Sequence, residues 1–228
     1  MSCWPIDWPV VKFELKGKTL TRVKVCGITN LEDAMAAIEL GSSALGFIMV
    51  PSSPRYIGEN SDALQIPLHL PPFISTVAVC EQVPTGQEEW FHHFTAVQFY
   101  NGLPPVEPAT GRAIVQAFRI KDESSVQQIF DSRSTTDAFL LDAYSPDTLG
   151  GTGHTFNWEL ARQVRERAGR PIILAGGLTP ENVGEAIRIV HPYAVDVSSG
   201  VEHSPGKKDA EKMAAFFAAV WEADEVGR

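Results

Sequence analysis

Eight short runs of β-branched and aromatic residues alternate with longer segments of helical period, and this alternation leaves few folds open. The runs are RVKVC (22–26), ALGFIMV (44–50), ISTVAVC (74–80), AVQFY (96–100), IVQAF (114–118), AFLLD (138–142), IILAG (172–176) and AVDVS (194–198). Most are nearly continuous apolar stretches, as strands of a parallel sheet covered on both faces require. Their spacing leaves room for a crossover helix between neighbours. Thr29 and Glu32 form a capping box ahead of Leu31, Ala34, Met35 and Ile38, and Thr85 with Glu88 repeats it before Trp90, Phe91 and Phe94. Asp122, Asn157, the Thr179-Pro180 pair and Asp209 each open a further helical stripe. Two crossovers are weak: Pro67 interrupts the segment 59–70, which Asn60 or Ser61 caps, and 101–111 carries three prolines without helical period. The pattern predicts a single-domain α/β chain, an eight-fold (β/α) TIM barrel over 22–228. An open doubly wound sheet is the alternative. Residues 1–21 stand outside the repeat as an N-terminal extension, either a hairpin or plug turning at Gly17 or a loosely attached tail.

With 228 residues, 44% of them hydrophobic, the chain is long enough to bury a sizeable core. No apolar run reaches the roughly 18 residues of a membrane span, and the first residues lack the pattern of a signal peptide. Cys3, Cys26 and Cys80 form neither an even framework nor a C-x-x-C pair, so they read as reduced thiols of a cytoplasmic protein. A net charge of −9 argues against a general nucleic-acid binder. An anionic ligand must then be held by local dipoles rather than drawn in by the overall field. The histidines show no metal-ligand spacing.

In such a barrel the reacting groups sit at the carboxyl ends of the strands. Strand one ends in Cys26, strand three in Cys80, strand four in Tyr100 and strand six in Asp142. A thiol and a carboxylate on separate strands of one mouth suit an acid/base pair acting across a small substrate. Strand seven ends in Gly176-Gly177 and strand eight in Ser198-Ser199-Gly200. Bare backbone and hydroxyls at these two positions suit a phosphate cup, with a short extra helix expected after Ser198. Each glycine pair, taken alone, reads first as a tight turn; it is their pairing at strands seven and eight that favours the phosphate cup.

KVCGIT (24–29), GFIMVPSSPRYI (46–57), LLDAYSPDTLGGTG (140–153), LAGGLTPENV (174–183) and VDVSSGVEHSPGKKD (195–209) together resemble the phosphoribosylanthranilate isomerase family of tryptophan biosynthesis. The resemblance runs from about residue 22 to the C-terminus, in order. It implies an Amadori rearrangement of N-(5-phosphoribosyl)anthranilate to the 1-deoxyribulose 5-phosphate isomer, without metal or organic cofactor. It further implies Cys26 as general base, Asp142 as general acid and Arg55 as clamp for the anthranilate carboxylate. Gly176, Gly177, Ser198, Ser199 and Gly200 would form the phosphate site, and Asp196 would contact the sugar or amine.

The chemistry asks for the same groups. An acid must protonate the furanose ring oxygen, and a base must then take the C2′ proton that the adjacent iminium has acidified. The helix after Thr29 is expected to favour the Cys26 thiolate, and desolvation under a bound anion to keep Asp142 protonated. Gly150–Gly153 reads as slack or as a mobile flap. Where the family carries glutamine-leucine-histidine-glycine, this chain has Gln98-Phe99-Tyr100-Asn101, so Tyr100 takes the place of a pocket histidine as a substrate-binding candidate. Three rivals are a sister isomerase on another phosphorylated aminoaldose, which generally uses aspartate where Cys26 stands, a non-catalytic phosphosugar-binding protein, and a bare structural barrel, which would not be expected to keep both reactive groups and the phosphate cup. The expected partner is a phosphorylated small molecule, with no nucleic acid or membrane and with the chain a monomer or homodimer.

Overall fold

The computed structural model describes residues 20–82, 89–100, 111–132, 136–143 and 157–226. Eight parallel strands close into a barrel in chain order: β1 (Arg22–Cys26), β2 (Ala44–Ile48), β3 (Ser75–Cys80), β4 (Ala96–Phe99), β5 (Ala113–Ile120), β6 (Ala138–Ala143), β7 (Ile172–Leu174) and β8 (Ala194–Val197). Closure runs through β1 and β8, where Lys24 lies in register with Asp196. The open-sheet alternative is thereby set aside.

Period-two alternation sorts each strand between two environments. On β1 Val23 and Val25 face the helices while Lys24 and Cys26 face inward; on β6 Phe139 and Leu141 face out while Leu140 and Asp142 face in. The large core lies between barrel and helices, with Phe47, Phe99, Phe216 and Phe217 fully buried. Each such side chain contributes about 1.5–3 kcal/mol. The barrel interior holds two smaller clusters, one of Cys26, Val77, Val79 and Ala96, the other of Val115, Ala117, Leu140 and Ala175.

The helices are α1 (Leu31–Glu39), α2 (Ser61–Gln65), α3 (Glu123–Asp131), α4 (Trp158–Arg167), α5 (Val183–Val190) and α6 (Ala210–Val226). Asn60, Asp122, Asn157 and Asp209 cap as their residue types predict. Two starts differ from expectation. Asn30, not Thr29, caps α1 by accepting from the Asp33 amide at 2.8 Å, while the Thr29 hydroxyl donates to the Gly206 carbonyl. Helix α5 begins at Val183, because a turn intervenes in which the Thr179 amide donates to Asn182 Oδ1 at 2.8 Å. The aromatic segment expected as a helix is a short 3₁₀ stretch, Glu89–His93, and the Thr85–Glu88 box lies outside the described residues. So do residues 1–19 and the Gly150–Gly153 loop.

Beyond β8 come one 3₁₀ turn, Ser199–Val201, and a small antiparallel pair, β9 (Glu202–Ser204) and β10 (Lys207–Lys208). The Lys208 amide donates to Asp33 Oδ2 at 2.8 Å, fixing this pair against α1. The short extra helix expected after Ser198 is that 3₁₀ turn.

Candidate active site

Cys26 and Asp142 both end inward-facing registers and both are buried. Tyr100 connects their surroundings. Its ring packs against both interior clusters, one of which contains Cys26, and its hydroxyl donates to Asp142 Oδ2 at 3.2 Å. Burial, then the charges of Asp142, Cys26 and Asp196, push the Tyr100 phenol well above its ordinary range, so it stays a hydrogen-bond donor. Arg119, the register partner of Asp142 on β5, lies over the Tyr100 ring with its guanidinium carbon 5.4 Å from the centroid.

Burial also raises the Cys26 thiol, while Lys24 and Lys208 pull it down. Asp196 faces inward from β8, and its Oδ2 accepts from Lys24 Nζ at 2.8 Å. Asp196 Oδ1 and Ser198 Oγ are buried without a hydrogen-bond partner among the described residues. Unpartnered buried acceptors are costly, and here both stand at the mouth, where a ligand can satisfy them.

The glycine- and serine-rich ends of β7 and β8 meet. Gly176 and Gly177 have φ of +86° and +65°, conformations that side chains resist. Asn182 Nδ2 donates to the Gly177 carbonyl at 2.9 Å and so braces the same turn. Gly200 packs so closely on the Leu178 carbonyl that a Cβ there has no room. Ser198, Ser199, Gly176 and Gly177 all keep partial exposure, as a cup open to a ligand must.

Arg55 leaves the loop after β2 and reaches Glu202, donating through Nε at 2.8 Å and Nη2 at 2.6 Å. This is a buried fork with an Arg side chain 11% exposed, and Glu202 holds its guanidinium. Two of its five N–H groups serve Glu202, which leaves donors for a second carboxylate. Glu202 also accepts from Lys208 Nζ at 2.9 Å, and the same ammonium donates to the Cys26 carbonyl at 2.6 Å and the Ser198 carbonyl at 3.3 Å. One lysine thus ties the end of β1 to the end of β8. Burial alone would raise the Glu202 carboxyl, but Arg55 and Lys208 outweigh it and hold it below the usual range.

Glu202→Gln is expected to cost about 3 kcal/mol by chemical denaturation, since it leaves the buried Lys208 and the part-buried Arg55 without their anion. Because folding lowers the Glu202 pKa, its contribution is complete above the unfolded value of about 4.3 and fades as pH falls through the folded one. The variant should therefore lose part of the wild type's acid sensitivity. An unchanged denaturation midpoint at neutral pH would remove Glu202 as the brace.

Lys24, Glu202, Lys208, Asn182 and Arg119 were not singled out from the sequence. Period-two parity from Cys26 places Lys24 inward, so that one was within reach. Asn182 acts within its own turn, on Thr179 and Gly177, whereas Glu202, Lys208 and Arg119 depend on contacts distant in sequence.

Across residues 23–219 the chain matches the family model described as N-(5′-phosphoribosyl)anthranilate isomerase. A relative of that name from Geobacter sulfurreducens is 47% identical over 206 residues, covering 87% of this chain and 97% of the relative. Another, from Moorella thermoacetica, is 43% identical over 211 residues, covering 90% and 92%. The crystal structure of phosphoribosyl anthranilate isomerase from Thermotoga maritima superposes with a TM-score of 0.78 at 38% identity, covering 89% of this chain and 100% of that one. A structure of such an isomerase in complex with reduced 1-(o-carboxyphenylamino)-1-deoxyribulose 5-phosphate gives a TM-score of 0.75 at 37% identity, with the same coverage.

Proposed function

The chain belongs to the phosphoribosylanthranilate isomerase family, and from that premise we propose how its residues divide the Amadori rearrangement of N-(5′-phosphoribosyl)anthranilate in tryptophan biosynthesis. The substrate's phosphate sits against the backbone of Gly176, Gly177 and Gly200 and the hydroxyls of Ser198 and Ser199. Arg55, oriented by Glu202, receives the anthranilate carboxylate with its remaining N–H groups. Asp196 Oδ1 accepts from the sugar hydroxyl or the amine. Tyr100 lines the floor between the two reacting groups and fixes the rotamer of Asp142.

Asp142 then gives a proton to the furanose ring oxygen as the C1′–O bond breaks, leaving an iminium at C1′. The Cys26 thiolate takes the acidified C2′ proton, and the resulting enolamine tautomerises to the 2-ketone. No atom is gained or lost, and the chemistry calls for no added cofactor. The observation that carries this reading is Tyr100, whose hydroxyl rests on Asp142 while its ring packs in the cluster that holds Cys26. The acid and the base then serve one substrate. The protein is read as cytoplasmic, acting as a monomer or homodimer.

The direct test is consumption of freshly prepared phosphoribosylanthranilate, followed by anthranilate fluorescence. No rate above spontaneous decay would refute the assignment. The placement of the phosphate is tested by Gly200→Ala, which drives the two loops apart at the Leu178 carbonyl. It should raise KM about tenfold or more, equivalent to about 1.4 kcal/mol of lost binding, with kcat reduced much less. An unchanged KM would remove Gly200 from the phosphate site.

A further inference from the structure

Lys24 takes no part in the steps above, yet it occupies a buried position beside them. It precedes Cys26 by two residues and shares its inward face. Its side chain is 5% exposed, and its ammonium lies 2.8 Å from Asp196 Oδ2, whose side chain is 8% exposed. Across the β1–β2 ladder stands Gly46, the register partner of Cys26. A Cβ built on Gly46 would lie 2.7 Å from Cys26 Sγ and 3.1 Å from Lys24 Cε. The thiol and the lysine stem therefore converge on one point, against a residue that has no side chain.

Burying an ammonium and a carboxylate costs several kcal/mol per ion before their attraction returns it, and an apolar pair of the same volume is often no less stable. Stability alone is thus a weak reason for this pair. Its neighbour supplies a better one, because a thiol in apolar surroundings resists ionisation unless a cation stands beside it.

We propose that Lys24 is the positioning residue that supplies the countercharge for the Cys26 thiolate, with Asp196 holding the ammonium in place. The proposal builds on the reading of Cys26 as the base. Among the described residues, the charged and titratable groups that act on the thiol include Lys24 on its own strand, Asp196 from β8, Lys208 from β10, Arg55 from the loop after β2 and Tyr100 from the end of β4. Burial opposes the thiolate most strongly; Lys24 is the largest influence in its favour, ahead of Lys208, and Asp196 opposes it. Burial also works against the charge of Lys24, but Asp196 and Cys26 outweigh it and keep the ammonium protonated. Lys208 is tied to the Cys26 backbone carbonyl rather than to the sulfur, so it does not replace Lys24.

The test is the pH dependence of Cys26 alkylation by iodoacetamide, with the modified peptide identified by mass. In Lys24→Met the midpoint should move up by about one pH unit, so that alkylation at neutral pH slows about tenfold. The acidic limb of kcat/KM should move up in parallel. Lys24→Arg, which keeps the charge, should leave the midpoint near the wild-type value. If Lys24→Met does not fold because Asp196 is left unpaired, the double variant Lys24→Met/Asp196→Asn removes both charges and should still raise the midpoint. A Cys26 alkylation profile unmoved in a folded variant lacking Lys24 would overturn the proposal. Normal turnover by Cys26→Ala would instead overturn the role of Cys26 as base, whatever the alkylation profile shows.

Discussion

Cys26→Ala is expected to lower kcat/KM by about 10³-fold or more, while the variant binds reduced 1-(o-carboxyphenylamino)-1-deoxyribulose 5-phosphate within a few-fold of wild type. A positioned general base contributes about 10²–10⁴ in rate, and a thousandfold loss corresponds to about 4 kcal/mol of transition-state stabilisation. The upper half of that range applies because neither neighbouring lysine stands ready as a base. Lys24 is held as an ammonium by Asp196, and Lys208 is spent on carbonyls and Glu202. The phosphate cup and Arg55 do not touch the missing sulfur's chemistry, so binding should survive. Cys26→Ser discriminates further: it preserves size but offers a hydroxyl far harder to ionise than a thiol, and should be nearly as slow. Steady-state rates followed by anthranilate fluorescence, with analogue binding by calorimetry, check both halves. Turnover within tenfold of wild type would remove Cys26 as the base and place that role elsewhere in the mouth.

Asp142→Asn should cost about 10²–10⁴ in kcat, again with analogue binding retained. Asparagine keeps the shape of the side chain and can still accept the Tyr100 hydrogen bond, so the loss isolates the proton that the carboxyl delivers to the ring oxygen. The relation between the two variants is itself informative. If ring opening and C2′ proton removal are successive steps on one bound substrate, combining the two substitutions should lose less than the product of the single effects. Residual activity of the double variant equal to that product would mean that the two groups act independently. Wild-type kcat in Asp142→Asn would place the acid elsewhere in the mouth.

Much of this was legible in residue order. Strand β1 begins and ends where its β-branched run does, and the other strands match their runs to within two residues at either end. Misplaced starts have identifiable causes. Thr29 has the right chemistry for a cap, but Gly206, far away in sequence, claims its hydroxyl, and Asn30 takes over. Thr179-Pro180 has the right order for a helix start, but Asn182 folds its side chain back onto the Thr179 amide and the Gly177 carbonyl, which serves the glycine turn rather than the helix. The electrostatics were less legible. A thiol near a helix start reads as activated, whereas closure of the barrel buries it and leaves two lysines to oppose that burial.

The order of residues by itself determined the strands and helices, the inward parity of Cys26 and Asp142, and the glycines at the ends of β7 and β8, because dihedral preference and hydrophobic period act over a few neighbours. Only the tertiary structure decided which charges meet. Lys24 finds Asp196 172 residues away, Arg55 finds Glu202 147 residues away, and Lys208 reaches the Cys26 carbonyl across 182. Those pairings and their effect on ionisation depend on burial, and burial exists only once the first strand closes against the last.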